Sequence, residues 1–189
     1  MASASLLNAC ALFSGVQQQT TLNLELAEKS LQMARYQDAL PYLKKALNLD
    51  PNLGRTHADL GEYYLAINES TQAAKHYKRA LELDHTNLLV KSSYASYQCA
   101  SGELQRGIDI LFEIIEMARN SQPWHAQTRL ANCFIQATDT EQAEYYLEKA
   151  LEANSDYLPA LLAMQKVYYY QHQYSSAHEY WLRYSQLGK

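Results

Sequence analysis

The stretch Ser70–Leu81, STQAAKHYKRAL, decides the fold, because its pattern recurs four more times along the chain. The echoes are Tyr36–Leu47 (YQDALPYLKKAL), Leu104–Ile115 (LQRGIDILFEII), Thr140–Leu151 (TEQAEYYLEKAL) and Tyr174–Ser185 (YSSAHEYWLRYS). Each has polar residues second and third, puts a small residue fourth and then repeats apolar positions at i+4 and i+7. That spacing describes one face of an α-helix. The small residues Ala39, Ala73, Gly107, Ala143 and Ala177 stand 34, 34, 36 and 34 positions apart. A second ladder, Ala27, Gly61, Ala95, Ala131 and Gln165, runs ahead of the first at the same intervals.

Two ladders imply two helices per period. A helix–turn–helix unit of about 34 residues with small residues at these places resembles the tetratricopeptide repeat. Large–small pairs such as Leu60–Gly61, Tyr94–Ala95 and Leu130–Ala131 let the antiparallel helices A and B approach closely while the larger side chain fills the groove beside it. The spacing predicts helix pairs at 20–33/36–48, 53–67/70–83, 87–100/103–119, 122–136/139–152 and 156–171/174–187. Asp50–Pro51 closes the first unit, since proline cannot continue a helix interior. The expected architecture is all-α: a right-handed superhelix of about five repeats over residues 20–189, with a concave groove lined by the A helices. The joint ARNSQPWHAQ (118–127) is two residues longer than the others, and Pro123 opens the next A helix. The last B helix shows Tyr180, Trp181 and Tyr184 where a polar cap is expected, so a further helix or another cover is anticipated there. Sixteen tyrosines are read chiefly as packing, with Tyr64, Tyr77 and Tyr168 between helices A and B. The cluster Val167–Tyr174 exceeds that need.

Composition excludes several classes of function. Sixteen Lys and Arg against twenty Asp and Glu give a net charge of −4, so no basic footprint for nucleic acid exists. No apolar run approaches the ~20 residues of a membrane-spanning helix. Gly-rich phosphate loops, HExxH and nucleophile elbows are absent, and the six histidines never pair at i, i+4 with a carboxylate. No enzyme, metal, cofactor or small-molecule substrate is expected. Cys10, Cys99 and Cys133 lack zinc or redox spacing. Cys99 and Cys133 fall at mismatched heights on successive A helices, and are expected to remain free thiols with Cα atoms beyond ~7 Å.

Function is therefore expected from binding. The inward positions of the A helices are read as Leu24, Glu28 and Leu31; Ala58, Glu62 and Leu65; Ser92, Ser96 and Cys99; Thr128, Asn132 and Ile135; Leu162, Lys166 and Tyr169. This mildly apolar set suits an extended or helical protein segment. The co-chaperone clamp for acidic tails is excluded, because its positions read Leu24, Glu28, Asp59, Leu89 and Ser93, none of them basic.

The opening, Leu7-Asn8-Ala9-Cys10, resembles a bacterial lipobox, in which the cysteine is lipidated after cleavage. Ala11 is the residue type associated with sorting to the outer membrane, and SGVQQQTTLN (14–23) reads as a polar tether leading into the first repeat. Residues 1–19 are thus expected to be a remnant of a lipoprotein signal plus tether; MASASLLNA carries no Lys or Arg, so the start is expected to lie inside the signal. With ARYQDALPYLKKALNLDPN (34–52), YASYQCASGELQRGIDILFEI (94–114) and the lengthened joint at Pro123, residues 6–189 resemble the type IV pilus biogenesis and stability lipoproteins, the tetratricopeptide pilotins. The resemblance implies a lipid on Cys10, a place on the periplasmic face of a Gram-negative outer membrane, and a pilus secretin as partner. Ser92-Ser93-Tyr94-Ala95 departs from that family's Asn-Asn-Tyr-Gly, and its usual sixth repeat has no counterpart. The alternative is a cytoplasmic tetratricopeptide adaptor that binds an apolar peptide segment.

Overall fold

The computed structural model describes residues 3–117 and 121–187, with side chains from residue 14 onward. Ten helices and no strand occur among the described residues. They fall into two compact units, residues 1–85 and 86–189. Unit one holds α1 (Ser3–Gln32), α2 (Tyr36–Leu49), α3 (Gly54–Ala66) and α4 (Ser70–Leu83). Unit two holds α5 (Leu88–Ala100), α6 (Leu104–Glu116), α7 (Pro123–Gln136), α8 (Thr140–Ala153), α9 (Leu158–Tyr170) and α10 (Tyr174–Leu187). The odd-numbered helices are the A helices and the even-numbered ones the B helices. Within each unit, every A helix packs on its own B helix and on the next A helix of that unit.

Both ladders of small residues lie where the spacing placed them. Ala27, Ala39, Ala73, Ala95, Ala131 and Ala143 have no exposed surface. In unit one Leu24, Leu43, Leu60 and Tyr63 close around Ala27, Ala39 and Ala46. At Gly61 the approach is so close that a Cβ would lie 2.7 Å from the ring of Tyr77, which is itself 1% exposed. Unit two has one core around Leu111, Leu130, Cys99 and Cys133, and a second around Leu147, Met164 and Val167.

Every A–B turn has the same construction. The A helix ends in one left-handed residue: Ala34, Asn68, Gly102, Thr138 or His172. The following N–H then reaches back across the turn, as in Glu69 N to Tyr64 O at 2.8 Å and Asp139 N to Phe134 O at 2.9 Å. This double closure satisfies carbonyls that a helix end would otherwise leave unpaired. Two helices also carry side-chain N-caps, with Asn87 Oδ1 accepting from Leu89 N at 3.0 Å and Asp139 Oδ1 from Gln142 N at 3.1 Å. Pro123 sits in the first turn of α7, as the sequence implied.

Two expectations are corrected. The polar segment 14–23 is not a loose tether: α1 continues through it as one 30-residue helix. Glutamine and leucine are good helix formers and no proline interrupts the run, so polarity there does not mean disorder. Second, Cys99 and Cys133 are not free thiols but are joined by a disulfide, with Cα atoms 5.5 Å apart. Height along each helix does not decide this contact. An A helix between two like neighbours shows them opposite faces, and positions two residues apart on a helix differ by about 200°. A cysteine facing forward from α5 therefore meets one on α7 that stands two places earlier in its own repeat.

Candidate functional site

In unit one the open surface of the A helices is an ionic seam. Arg55 Nη2 from α3 donates to Glu28 Oε2 of α1 at 2.7 Å, and Gln32 Nε2 donates to Glu28 Oε1 at 3.1 Å. Arg55 Nε also lies 3.7 Å from Asp59 Oδ2. Glu28 is thus committed within the chain, although a partly exposed pair of this kind contributes only ~0–1 kcal/mol. Leu31, Glu62 and Leu65 are half-buried beside it. A groove of about 410 Å³ between α1 and α2 is lined by Leu26, Lys29, Met33, Arg35, Pro41 and Tyr42 among others.

Behind this seam two histidines share the α3–α4 contact. Nδ1 of His57 and Nδ1 of His76 are 3.1 Å apart, and His57 Nε2 lies 3.1 Å from the carbonyl of Pro51. The carbonyl can only accept, so Nε2 of His57 carries a proton; a neutral His57 then accepts at Nδ1 from His76. Burial, then the neighbouring His57 and Lys75, hold the His76 pKa below its ordinary value.

In unit two the open face is mixed. Arg129 Nη1 of α7 donates to Ser96 Oγ of α5 at 3.3 Å, beside the exposed Asn132. On α9, Leu162, Lys166 and Tyr169 are exposed, and Lys166 Nζ lies 5.7 Å over the ring of Tyr170. Tyr169 and Tyr174 meet edge to face at 5.6 Å, and the Tyr174 hydroxyl lies 3.0 Å from His172 Nδ1. Tyr168, by contrast, packs against Tyr180 at 5.5 Å, and burial with a hydrogen bond to Glu144 pushes its pKa up. The surplus of tyrosine is thus exposed at the α9–α10 turn, and the packing tyrosines are where the repeat needs them. A cleft of about 290 Å³ opens between the start of α5, the end of α6 and the start of α7, lined by Asn87, Leu89, Ser92, Gln122 and His125.

Six of the residues assigned to a binding groove are not at the surface. Leu24, Ala58, Ser92, Cys99 and Thr128 are 2% exposed and Ile135 is 6% exposed. An A helix is clasped by its own B helix and by neighbouring A helices, so its open stripe is narrower than the i, i+4, i+7 set. The first position of each of the first four triplets slides under the A–A seam. Residues left accessible from the assignment are Glu28, Leu31, Glu62, Leu65, Ser96, Asn132, Leu162, Lys166 and Tyr169. Arg55 and Arg129 belong to the same faces and are missing from that assignment. Arg129 directly follows an assigned position, and a one-residue step of ~100° still lies on the open side. The side chain of Cys10 lies outside the described residues, although its backbone belongs to α1. No helix among the described residues is long and apolar enough to cross a membrane, and no cluster of three or more His, Cys, Asp or Glu among them could hold a metal.

Paired helices in a 34-residue register, with polar and aromatic faces open to solvent, define a repeat scaffold for protein interaction. The tetratricopeptide repeat family matches residues 23–53, 54–87 and 125–157, together just over half of the chain, and the chain belongs to that family. Among curated proteins it is similar to the type IV pilus assembly protein PilF of Pseudomonas aeruginosa, with 25% identity over 165 residues. That match covers 87% of this chain and 66% of the relative, just under two thirds of its length. Among solved structures, PilW, described as a widely conserved type IV pilus biogenesis factor, aligns with a TM-score of 0.61 at 18% identity, covering 89% of this chain and 77% of that one. A thermophilic tetratricopeptide protein of Thermus thermophilus aligns with a TM-score of 0.65 at 16% identity, covering 89% and 91%. At these identities the structural likenesses describe the fold.

Proposed function

We propose that the chain is a type IV pilus biogenesis factor: a tetratricopeptide scaffold of the bacterial envelope that holds a segment of the pilus secretin while it reaches the outer membrane and assembles. The observation that carries this reading is the 165-residue similarity to the PilF pilus assembly protein, which runs well beyond any single repeat. Supporting it is the lipobox-like Leu7-Asn8-Ala9-Cys10, with Cys10 as the lipid attachment site and the periplasmic face of the outer membrane as the destination. The secretin segment would lie on an open A-helix face, either beside Ser96, Arg129, Asn132 and Tyr169 in unit two or beside Glu28, Arg55 and Glu62 in unit one. Mixed polar and aromatic side chains suit a partner segment that is itself amphipathic.

The test is complementation. Placed behind a complete lipoprotein signal in a Gram-negative host that lacks its own tetratricopeptide pilus assembly protein, the chain is expected to restore surface pili and outer-membrane secretin multimers. Cys10→Ser is expected to release it from the membrane with its helical content intact. A Cys10→Ser protein that still fractionates with the outer membrane in the absence of secretin removes the lipid anchor. Failure of the lipidated protein to restore pili or to retain secretin removes the pilus reading and leaves an adaptor for some other segment.

A further inference from the structure

Cys99 and Cys133 raise a question the partner reading does not address: how two sulfurs so deeply placed become bonded. Cys99 is 2% exposed and Cys133 1% exposed, inside the core formed by Ala95, Ile108, Leu111, Ile114, Ala126 and Leu130. The cover over Cys99 is α6. Gly107 stands where the other four repeats carry alanine, and a Cβ there would collide with Cys99 Sγ and lie 2.6 Å from the Ala95 carbonyl. The chain has given up the repeat's usual alanine on the B helix that covers Cys99.

We propose that the Cys99–Cys133 bond closes before α6 docks and on the oxidising side of a membrane, since a docked α6 shields both sulfurs from a protein oxidant. Thiol–disulfide exchange needs a sulfur of the oxidant to reach a sulfur of the chain, and access governs its rate. No protein oxidant reaches a sulfur with 1–2% exposure. The oxidant is a dithiol oxidase in its disulfide form. One cysteine thiolate of the chain attacks that disulfide, forming a mixed disulfide and releasing one oxidant thiolate. The second cysteine thiolate attacks the chain's sulfur in the mixed disulfide, forming Cys99–Cys133 and releasing the second oxidant thiolate. Two electrons pass to the oxidant, and its two thiolates take up the two protons lost by the chain. The bond spans 34 residues and ties the A helices of two successive repeats across the lengthened joint. Reducing compartments keep such pairs as thiols, whereas secreted and periplasmic proteins retain them. The inference is independent of which partner the scaffold binds, and its failure leaves the pilus reading untouched.

The experiment uses the full chain with Cys10→Ser, so that Cys99 and Cys133 are its only thiols. It is made in two forms, exported to the periplasm or retained in a reducing cytosol, then unfolded in denaturant without reductant and alkylated. Exported protein is expected to take up no label until reductant is added, and retained protein two labels. Purified reduced protein is then oxidised with oxidised glutathione with and without denaturant. Oxidation is expected to be at least ~10-fold slower without denaturant, because access is lost on folding. A reduced chain that stays unfolded supports the same order, since the bond is then needed for α6 to dock. Exported protein carrying two labelled thiols overturns the compartment, and a folded reduced chain oxidised at the unfolded rate overturns the order.

Discussion

Replacing Gly107 by alanine sets the repeat pattern against the packing. Four of the five repeats carry alanine at this position, and glycine inside a helix costs ~1 kcal/mol relative to alanine, so the pattern alone predicts that Gly107→Ala stabilises. The structure predicts the reverse. The added Cβ would lie 2.6 Å from the Ala95 carbonyl oxygen and 3.1 Å from the Cys99 amide nitrogen, besides colliding with Cys99 Sγ. The carbonyl and amide are fixed in α5, and the sulfur is tied to Cys133, so none of the three can swing aside and α6 must retreat. Overpacking a rigid site costs up to ~3 kcal/mol; less the ~1 kcal/mol of propensity, the net loss is about 2 kcal/mol. For a chain of this length that lowers Tm by roughly 4–8 °C, measured by circular dichroism. In a Cys99→Ala, Cys133→Ala background the penalty is expected to shrink and not to vanish, because the carbonyl remains. A Gly107→Ala protein that melts at or above the parent temperature refutes the reasoning.

Ala73→Leu is expected to cost ~1–3 kcal/mol, because Ala73 is completely buried at an A–B crossing; an unchanged melting curve would show the register to be wrong. Thr138→Gly is expected to gain ~0.5–1 kcal/mol, since a β-branched residue at φ 60° pays a steric cost that glycine does not. A lower Tm for that variant means the threonine side chain does something the turn geometry does not reveal. For His76 the folded pKa lies below 6.5, so the unfolded chain takes up the proton first and stability falls as pH drops below about 6.5. Urea unfolding between pH 8 and 5 is expected to show a flat plateau above pH 7, a decline below 6.5, and a shallower decline in His76→Gln. Stability that rises on acidification contradicts the assignment.

The repeats are legible in the sequence because small residues at fixed intervals have one simple cause, close helix crossings, and Ala39, Ala73 and Ala143 answer to it directly. The open surface is less so. Whether Ser92 or Ser96 reaches solvent depends on how far α7 rolls over α5, and a periodicity of 3.6 does not record the tilt of a neighbouring helix. The bond between Cys99 and Cys133 is hidden for the same reason: the sequence displays height along each helix, while the facing direction decides the contact. Gly107 is the available clue, since an unexplained loss of alanine at one step of the ladder signals something bulky opposite. In residues 14–23 helix propensity outweighs polarity, and nothing between Ser3 and Gln32 stops a helix.

That uninterrupted α1 has a mechanical meaning. Ten residues of helix, Cys10 to Thr20, extend about 15 Å, and ten residues of flexible chain average ~16–19 Å between their ends, so the reach is nearly the same. Their freedom differs. A rope lets its load tumble, whereas a rod passes on every tilt and rotation imposed at its foot. With the foot fixed at Cys10, a rod would hold the Glu28–Arg55 seam of unit one at a set bearing, and a partner would meet that face already aimed. The softest link is Gly15, where no atom lies within 4 Å of a would-be Cβ and the helix is weaker than alanine would make it by ~1 kcal/mol. Bending there would trade a fixed bearing for a swinging one without unpacking any repeat.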